Sequence, residues 1–135
     1  MEAMETVREI IDRKGGLEAL KSSHIKVINP PYMPLVVEYV GQGPRGLPLV
    51  SVAHYFEQNG DMMRDPEIVF EVPARGTWEP VSIQQDPLGS HQEAVFRDDA
   101  GRLMARPGLV RSIKAFARMW DRNLKAQGFL EEVGK

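Results

Sequence analysis

The sequence predicts an α+β domain, with a curved antiparallel sheet of about five to six strands and amino-terminal and carboxyl-terminal helices packed on one face. Two observations lead to this fold class. Apolar residues recur at helical spacing at both ends of the chain. Between the ends, short runs of β-branched and aromatic residues alternate with turns rich in Gly, Pro, Asn and Asp. We therefore expect one globular domain over residues 1–135.

The amino-terminal part is predicted to form two short helices. Val7, Ile10 and Ile11 recur at helical spacing, and the residues between them are mostly charged. The glycines at 15 and 16 supply the left-handed conformation that often ends a helix. Residues 17–21 then fit a second, shorter helix.

The middle of the chain is predicted to be a run of antiparallel strands joined by short turns. The predicted strands are residues 25–28, 35–40, 49–56, 67–72, 78–84, 92–96 and 102–105. Residues 49–56 are apolar on both faces, which is typical of a central strand. The segment GQGPRGLP is interpreted as a loop, and so is the polar segment EQNGDMMRDP at residues 57–66.

The last predicted element is an amphipathic helix from Pro107 to about Gly128. Proline suits the first helical turn because its missing N–H has no helical partner there. The apolar positions at helical spacing are Val110, Ile113, Phe116, Ala117, Trp120 and Leu124. We expect this apolar side, with Trp120, to lie against the sheet.

Composition excludes several classes of protein. The 135 residues contain no cysteine, which excludes disulfides, thiolate zinc sites and a cysteine nucleophile. No apolar run approaches the roughly 18 residues that a membrane helix needs. The opening MEAMETVREII is acidic where a secretory signal would be basic, so we expect a cytoplasmic protein without membrane contact.

Charge is distributed unevenly although the net charge is only -2. Residues 54–99 carry ten acidic and three basic side chains, whereas residues 101–135 carry eight basic and three acidic ones. Five cations of the last helix fall within an arc of about 80°. We call this row the cationic face: Arg111, Lys114, Arg118, Arg122 and Lys125. It could bind an acidic protein or a nucleic-acid backbone, but the same pattern is typical of a solvated helix surface.

A second candidate lies around the polar loop predicted at residues 57–66. We call it the acidic segment: His54, Glu57, Asp61, Asp65 and Glu67. If these groups converged, they could hold a divalent cation that activates water, as in a metal-dependent hydrolase. Their spacing does not match a calcium loop. The alternative is a hydrogen-bonded core histidine at position 54 and turn-forming acids elsewhere, and no metal or cofactor is assigned.

The sequence does not establish an enzymatic activity and favours a non-enzymatic role. It contains no G-x-S-x-G, G-x-x-x-x-G-K or H-E-x-x-H motif. A binding module with a protein partner is the first interpretation. A nucleic-acid-binding protein that uses the cationic face is the second, and a metal-dependent hydrolase is the third. The oligomeric state stays open.

Two stretches together resemble a known family, namely NPPYMPLVVEYVGQGPRGLPLVSVAHYFEQNGDMMRDPEIVFEV and RPGLVRSIKAFARMWDRNLKAQGF. They are similar to an uncharacterised bacterial domain-of-unknown-function family associated with plasmids, phages and other mobile elements. The resemblance covers roughly residues 5–129, and the EQNGD-x-M-x-DPE block is its most distinctive part. It implies a bacterial cytoplasmic setting and an accessory role in mobile-element biology, such as handling DNA or countering host defence.

Overall fold

The computed structural model describes residues 4–133, and its element order confirms the predicted α+β class with helices at both ends. The helices are α1 (Glu5–Arg13), α2 (Gly16–Ser22), α3 (Pro107–Ala126) and α4 (Phe129–Val133). The strands are β1 (Ile25–Val27), β2 (Leu35–Gln42), β3 (Pro48–Gln58), β4 (Asp61–Glu71), β5 (Glu79–Gln85), β6 (Ser90–Glu93), β7 (Val95–Arg97) and β8 (Leu103–Ala105). A 3-10 turn, Asp86–Leu88, lies between β5 and β6.

The first six strands form one antiparallel sheet in chain order, and β7 and β8 form a separate hairpin. The single strand predicted at residues 92–96 is therefore wrong, because it divides at Ala94. The Ala94 N–H donates to the Val81 carbonyl oxygen at 2.7 Å, and the Ala94 carbonyl accepts from the Arg106 N–H at 2.8 Å. Ala94 is fully buried at this junction between the two sheets.

The loop predicted at residues 57–66 is also wrong, because this segment forms the end of the long β3–β4 hairpin. Gln58 pairs with Asp61, which leaves a two-residue turn. Asn59 and Gly60 have φ angles of 54° and 85°. Positive φ at both positions matches the right-handed twist of the flanking strands, so the strands continue up to the turn.

Apolar burial is concentrated on the side of the sheet that faces the helices. Six side chains of β2, β3 and β4 on this side are 0% exposed, namely Leu35, Val37, Val50, Val52, Ile68 and Phe70. Burying one such side chain stabilises the fold by about 1.5–3 kcal/mol. Phe129 of α4, a helix that the sequence did not predict, is also 0% exposed and belongs to the same cluster.

Helix α3 lies on the sheet as expected, with its tryptophan-bearing side buried. Ile113, Ala117, Trp120 and Leu124 are at most 5% exposed. Asp121 extends this buried side toward the amino-terminal helix. Its Oδ1 accepts hydrogen bonds from the backbone N–H groups of Thr6 at 3.1 Å and Val7 at 3.3 Å. A carboxylate from α3 therefore caps the first turn of α1 and joins the two ends of the chain.

Candidate functional site

The cationic face lies along one side of α3 and keeps most of its charges in contact with solvent. Arg111, Arg122 and Lys125 are exposed, and Lys114 and Arg118 are half-buried. Fourteen residues separate the first cation from the last, a distance of about 21 Å at 1.5 Å per residue. The row can therefore contact several anionic groups of one extended partner at the same time.

Lys114 differs from the other four cations because it is paired within the protein. Its Nζ lies 2.9 Å from Oε2 of Glu79 on β5. Among the described residues, the side chains of Arg111, Arg118, Arg122 and Lys125 make no hydrogen bond or ion pair. The prediction of five outward cations is thus corrected to four free cations and one that fastens α3 to the sheet.

The acidic residue of α3 itself does not neutralise this row. Asp121 is 8% exposed and is directed toward α1. Burial raises the pKa of the Asp121 carboxyl, although the hydrogen bonds from Thr6 and Val7 act in the opposite direction. The charge of the four free cations is therefore unopposed along the solvent side of α3.

Most arginines elsewhere in the described part of the chain bind an acidic side chain or a backbone carbonyl oxygen, which makes the cationic face distinct. Arg45 pairs with Glu71 at 2.8 Å, Arg64 with Asp86 at 3.2 Å and Arg102 with Asp98 at 2.9 Å. Outside α3, the described cations whose side chains make no hydrogen bond or ion pair are Lys14, Lys26 and Arg75. These three lie on separate elements and form no row.

The five residues of the acidic segment do not come together at one place, although His54 and Asp65 line the same cleft. His54 lies on the helix side of β3, whereas Glu67 lies on the opposite side of β4 and accepts a hydrogen bond from Ser51. Glu57 and Asp61 are exposed near the hairpin turn. Within residues 4–133 there is no group of three or more His, Asp or Glu side chains that could hold a metal ion. We therefore propose no metal centre at the acidic segment.

His54 is a core histidine, as the alternative interpretation predicts. It is 7% exposed, and its Nδ1 lies 3.2 Å from the Pro34 carbonyl oxygen. Its ring centroid is 5.3 Å from that of Trp120 and 5.6 Å from that of Phe129. Burial lowers the pKa of His54 more than the backbone carbonyls of residues 33 and 34 and the charge of Asp65 raise it. The neutral ring therefore predominates near pH 7.

A polar network that the sequence did not reveal lies on the open face, by which we mean the side of the sheet opposite the helices. Glu67 Oε2 accepts a hydrogen bond from the Ser51 hydroxyl at 2.6 Å. Asp86 accepts from the Arg64 backbone N–H at 2.7 Å and from the Gln84 amide at 2.7 Å. These hydrogen bonds lower the pKa of Asp86, and the bond from the Gln84 amide lowers it most. The network joins β3, β4 and β5 to the 3-10 turn.

Comparison with protein families places the chain in a group defined by sequence. The family described as a domain of unknown function, DUF6908, matches residues 5–130. The chain belongs to the DUF6908 family. The predicted resemblance to a family of unknown function is thereby confirmed. No curated protein and no solved structure matches the chain.

Length and apolar character decide whether a helix of this DUF6908 chain could cross a membrane. None of the helices within residues 4–133 has both the length and the apolar character needed to cross a bilayer. The longest, α3, carries the five cations of the cationic face along its side.

In this DUF6908 chain, the segment GQGPRGLP, predicted as a loop, covers a buried residue that the sequence did not reveal. Glu71 at the end of β4 is 0% exposed. It accepts hydrogen bonds from the Arg45 backbone N–H at 2.9 Å and the Arg45 guanidinium at 2.8 Å. A Cβ on Gly43 would lie 2.5 Å from the Glu71 Cγ, so the loop can approach this closely only with glycine there. An arginine in a glycine-rich loop near an acidic strand end was the available signal.

Proposed function

We propose that this protein is a non-enzymatic binding module that docks an acidic partner protein on the cationic face of α3. The observation that carries the proposal is that four cations in one row make no hydrogen bond or ion pair with the described residues, whereas most arginines elsewhere do, such as Arg45 and Arg64. The four are Arg111, Arg118, Arg122 and Lys125. Free cations in a row attract an acidic surface and orient it along the helix.

Two features favour a protein over a nucleic acid. The chain as a whole carries a net charge of -2, and Glu57 and Asp61 are exposed near the hairpin turn, so a long polyanion would be repelled elsewhere. In addition, the aromatic rings of α3 are not beside the row. Trp120 is 5% exposed and Phe116 is half-buried, which leaves no platform for base stacking next to the cations.

Small side chains beside the cations would let a partner helix approach closely. Ala115 and Ala126 are exposed on the outward side of α3, next to Arg111 and Arg122 in helical projection. A helix of 20 residues is about 30 Å long, which is sufficient for a contact surface of roughly 800 Å² on each partner. A bacterial cytoplasmic setting and an accessory role in mobile-element biology belong to the same proposal, supported by the resemblance described above.

The test compares two triple charge reversals that change the net charge equally. The first replaces three cations of the cationic face: Arg118→Glu, Arg122→Glu and Lys125→Glu. The matched control replaces the three isolated cations: Lys14→Glu, Lys26→Glu and Arg75→Glu. The probes are a fluorescent glutamate-rich helical peptide and a short duplex DNA, each titrated by anisotropy at two salt concentrations.

We expect the peptide to bind more weakly as salt rises, and at least about tenfold more weakly to the cationic-face variant. The control variant should stay within about threefold of the unmodified protein. If DNA binds more tightly than the peptide, with a log–log salt slope of about -3.6 for four contacts, the nucleic-acid interpretation replaces ours. If neither probe binds at low salt, or both variants lose binding equally, the proposal is wrong.

A further inference from the structure

A cleft of about 280 Å³ lies on another side of α3, between this helix, the end of β4 and the segment before β2. Its lining is mainly aromatic and apolar, with contributions from Tyr32, Met33, His54, Pro66, Phe116 and Trp120. In helical projection, the residues of α3 that line it are centred about 150° away from the cationic face. The cleft is therefore separate from the surface of the proposed function.

Two polar groups of the cleft lack partners. Trp120 is 5% exposed, and its indole Nε1–H has no hydrogen-bond acceptor among residues 4–133. A buried donor without an acceptor is unfavourable by about 1–3 kcal/mol. The Asp65 carboxylate also lines the cleft, is half-buried and makes no ion pair or hydrogen bond with the described residues.

The charge of the cleft determines which ligands it accepts. Asp65 supplies the one acidic side chain of the lining. Burial lowers the pKa of His54, which keeps its ring neutral near pH 7. A half-buried carboxylate beside aromatic rings attracts an organic cation and repels an anion. The free indole N–H requires, in addition, an acceptor oxygen or nitrogen on the same ligand.

We propose that this cleft binds a guanidinium or ammonium group that carries a neighbouring carbonyl, as in an arginine or lysine residue. The cation lies against Asp65 and the aromatic rings, and the carbonyl oxygen accepts the hydrogen bond of the Trp120 indole. The same chemistry is found in a free basic amino-acid derivative and in a basic side chain of a partner protein. The proposal does not depend on the cationic face.

The experiment uses arginine amide, its uncharged isostere citrulline amide and the capped tripeptide Ala-Arg-Ala, with the α-amino group of both amides acetylated so that the guanidinium is the only cation. Binding is followed by NMR through the indole N–H resonance of Trp120, which is identified by its absence in Trp120→Phe. We expect arginine amide to shift this resonance in a saturable manner and citrulline amide to bind about tenfold more weakly. If the tripeptide binds about tenfold more tightly than the amide, the ligand is a partner's side chain, and if not, it is a small molecule.

Variants at the rim test the charge requirement without disturbing the core. Met119 lines the cleft and is 44% exposed, so substitutions there should be tolerated. Met119→Lys should weaken arginine amide binding by about fivefold or more, and Met119→Glu should strengthen it. Ala115→Lys adds the same charge one turn earlier, outside the cleft, and should have little effect. Equal binding of both amides, no shift at roughly 50 mM arginine amide, or no response to the Met119 charges would overturn the proposal.

Discussion

The two faces of the six-stranded sheet are stabilised by different kinds of interaction. The helix side is held by apolar packing, with Leu35, Val52 and Phe70 fully buried. The open face is held by charged and polar groups that satisfy one another, such as Arg64 with Asp86 and Arg45 with Glu71. Removal of one methylene group from a buried side chain destabilises the helix side, whereas removal of one hydrogen-bonding partner destabilises the open face.

This difference explains why the two candidate binding features belong to α3 rather than to the open face. The charged groups of the polar network on the open face are paired within the protein, so their charge is already neutralised by neighbours. On α3, four cations on the solvent side and the buried indole N–H of Trp120 beside the cleft have no partner among the described residues. Unpaired polar groups are the ones that gain most from a partner.

The largest effect is expected from removing an aromatic side chain on the helix side. Phe70→Ala should lower the free energy of unfolding by about 3–5 kcal/mol, because the ring is 0% exposed and lies 5.5 Å from the ring of Trp78. Val69, which precedes Phe70 in β4, is half-buried on the open face. Val69→Ala should lower the free energy of unfolding by about 1 kcal/mol. Denaturant unfolding measures both. Similar losses at the two positions would contradict the comparison of the faces.

A smaller effect is expected from neutralising the buried carboxylate of the open face. Glu71→Gln retains the shape of the side chain but turns one acceptor into a donor that faces the donors of Arg45 and Leu47. We expect a loss of about 2–3 kcal/mol in the free energy of unfolding.

The matched control for this substitution is Glu67→Gln, whose side chain is 15% exposed and whose pair with Arg64 is longer, at 3.4 Å. Here the expected loss is below about 1 kcal/mol. If Glu67→Gln lowers the free energy of unfolding as much as Glu71→Gln does, burial is not what makes the Glu71 interaction strong.

The smallest effect is a pH dependence that arises from His54 on the helix side. Because burial lowers the pKa of His54 below its usual 6.5, the unfolded chain binds a proton more readily than the folded one. The contribution of neutral His54 to the free energy of unfolding is fully present above pH 6.5 and is lost as the pH falls below that value. The free energy of unfolding then decreases by no more than about 1.4 kcal/mol per pH unit.

Unfolding of the natural protein and of His54→Gln, measured between about pH 7.5 and 5, tests this effect, since the variant cannot take up the proton. The difference in the free energy of unfolding between the two proteins should be smaller at low pH than at high pH. Parallel stability curves would mean that His54 is not buried in its neutral form.

Local patterns were sufficient to predict much of the fold. The helical spacing of Ile113, Trp120 and Leu124 predicted both the existence of α3 and its buried side, because a 3.6-residue period presents one stripe to a core. The strand at 49–56 was predicted as central for a comparable reason, since apolar residues on both faces require cover on both sides. The strands on either side of the turn at Asn59 and Gly60 were interpreted as a loop, because the end of the hairpin is exposed and carries no apolar alternation.

The partners of the polar groups could not be predicted from these patterns. The sequence by itself determined the α+β class, the amphipathic α3 and the row of cations along it, because these depend on periods within one segment. Only the tertiary structure decided that Asp121 caps α1, that Lys114 pairs with Glu79 and that Glu71 is covered by the loop with Arg45. These contacts join residues far apart in the chain, and their existence depends on how the sheet and helices pack rather than on any local spacing.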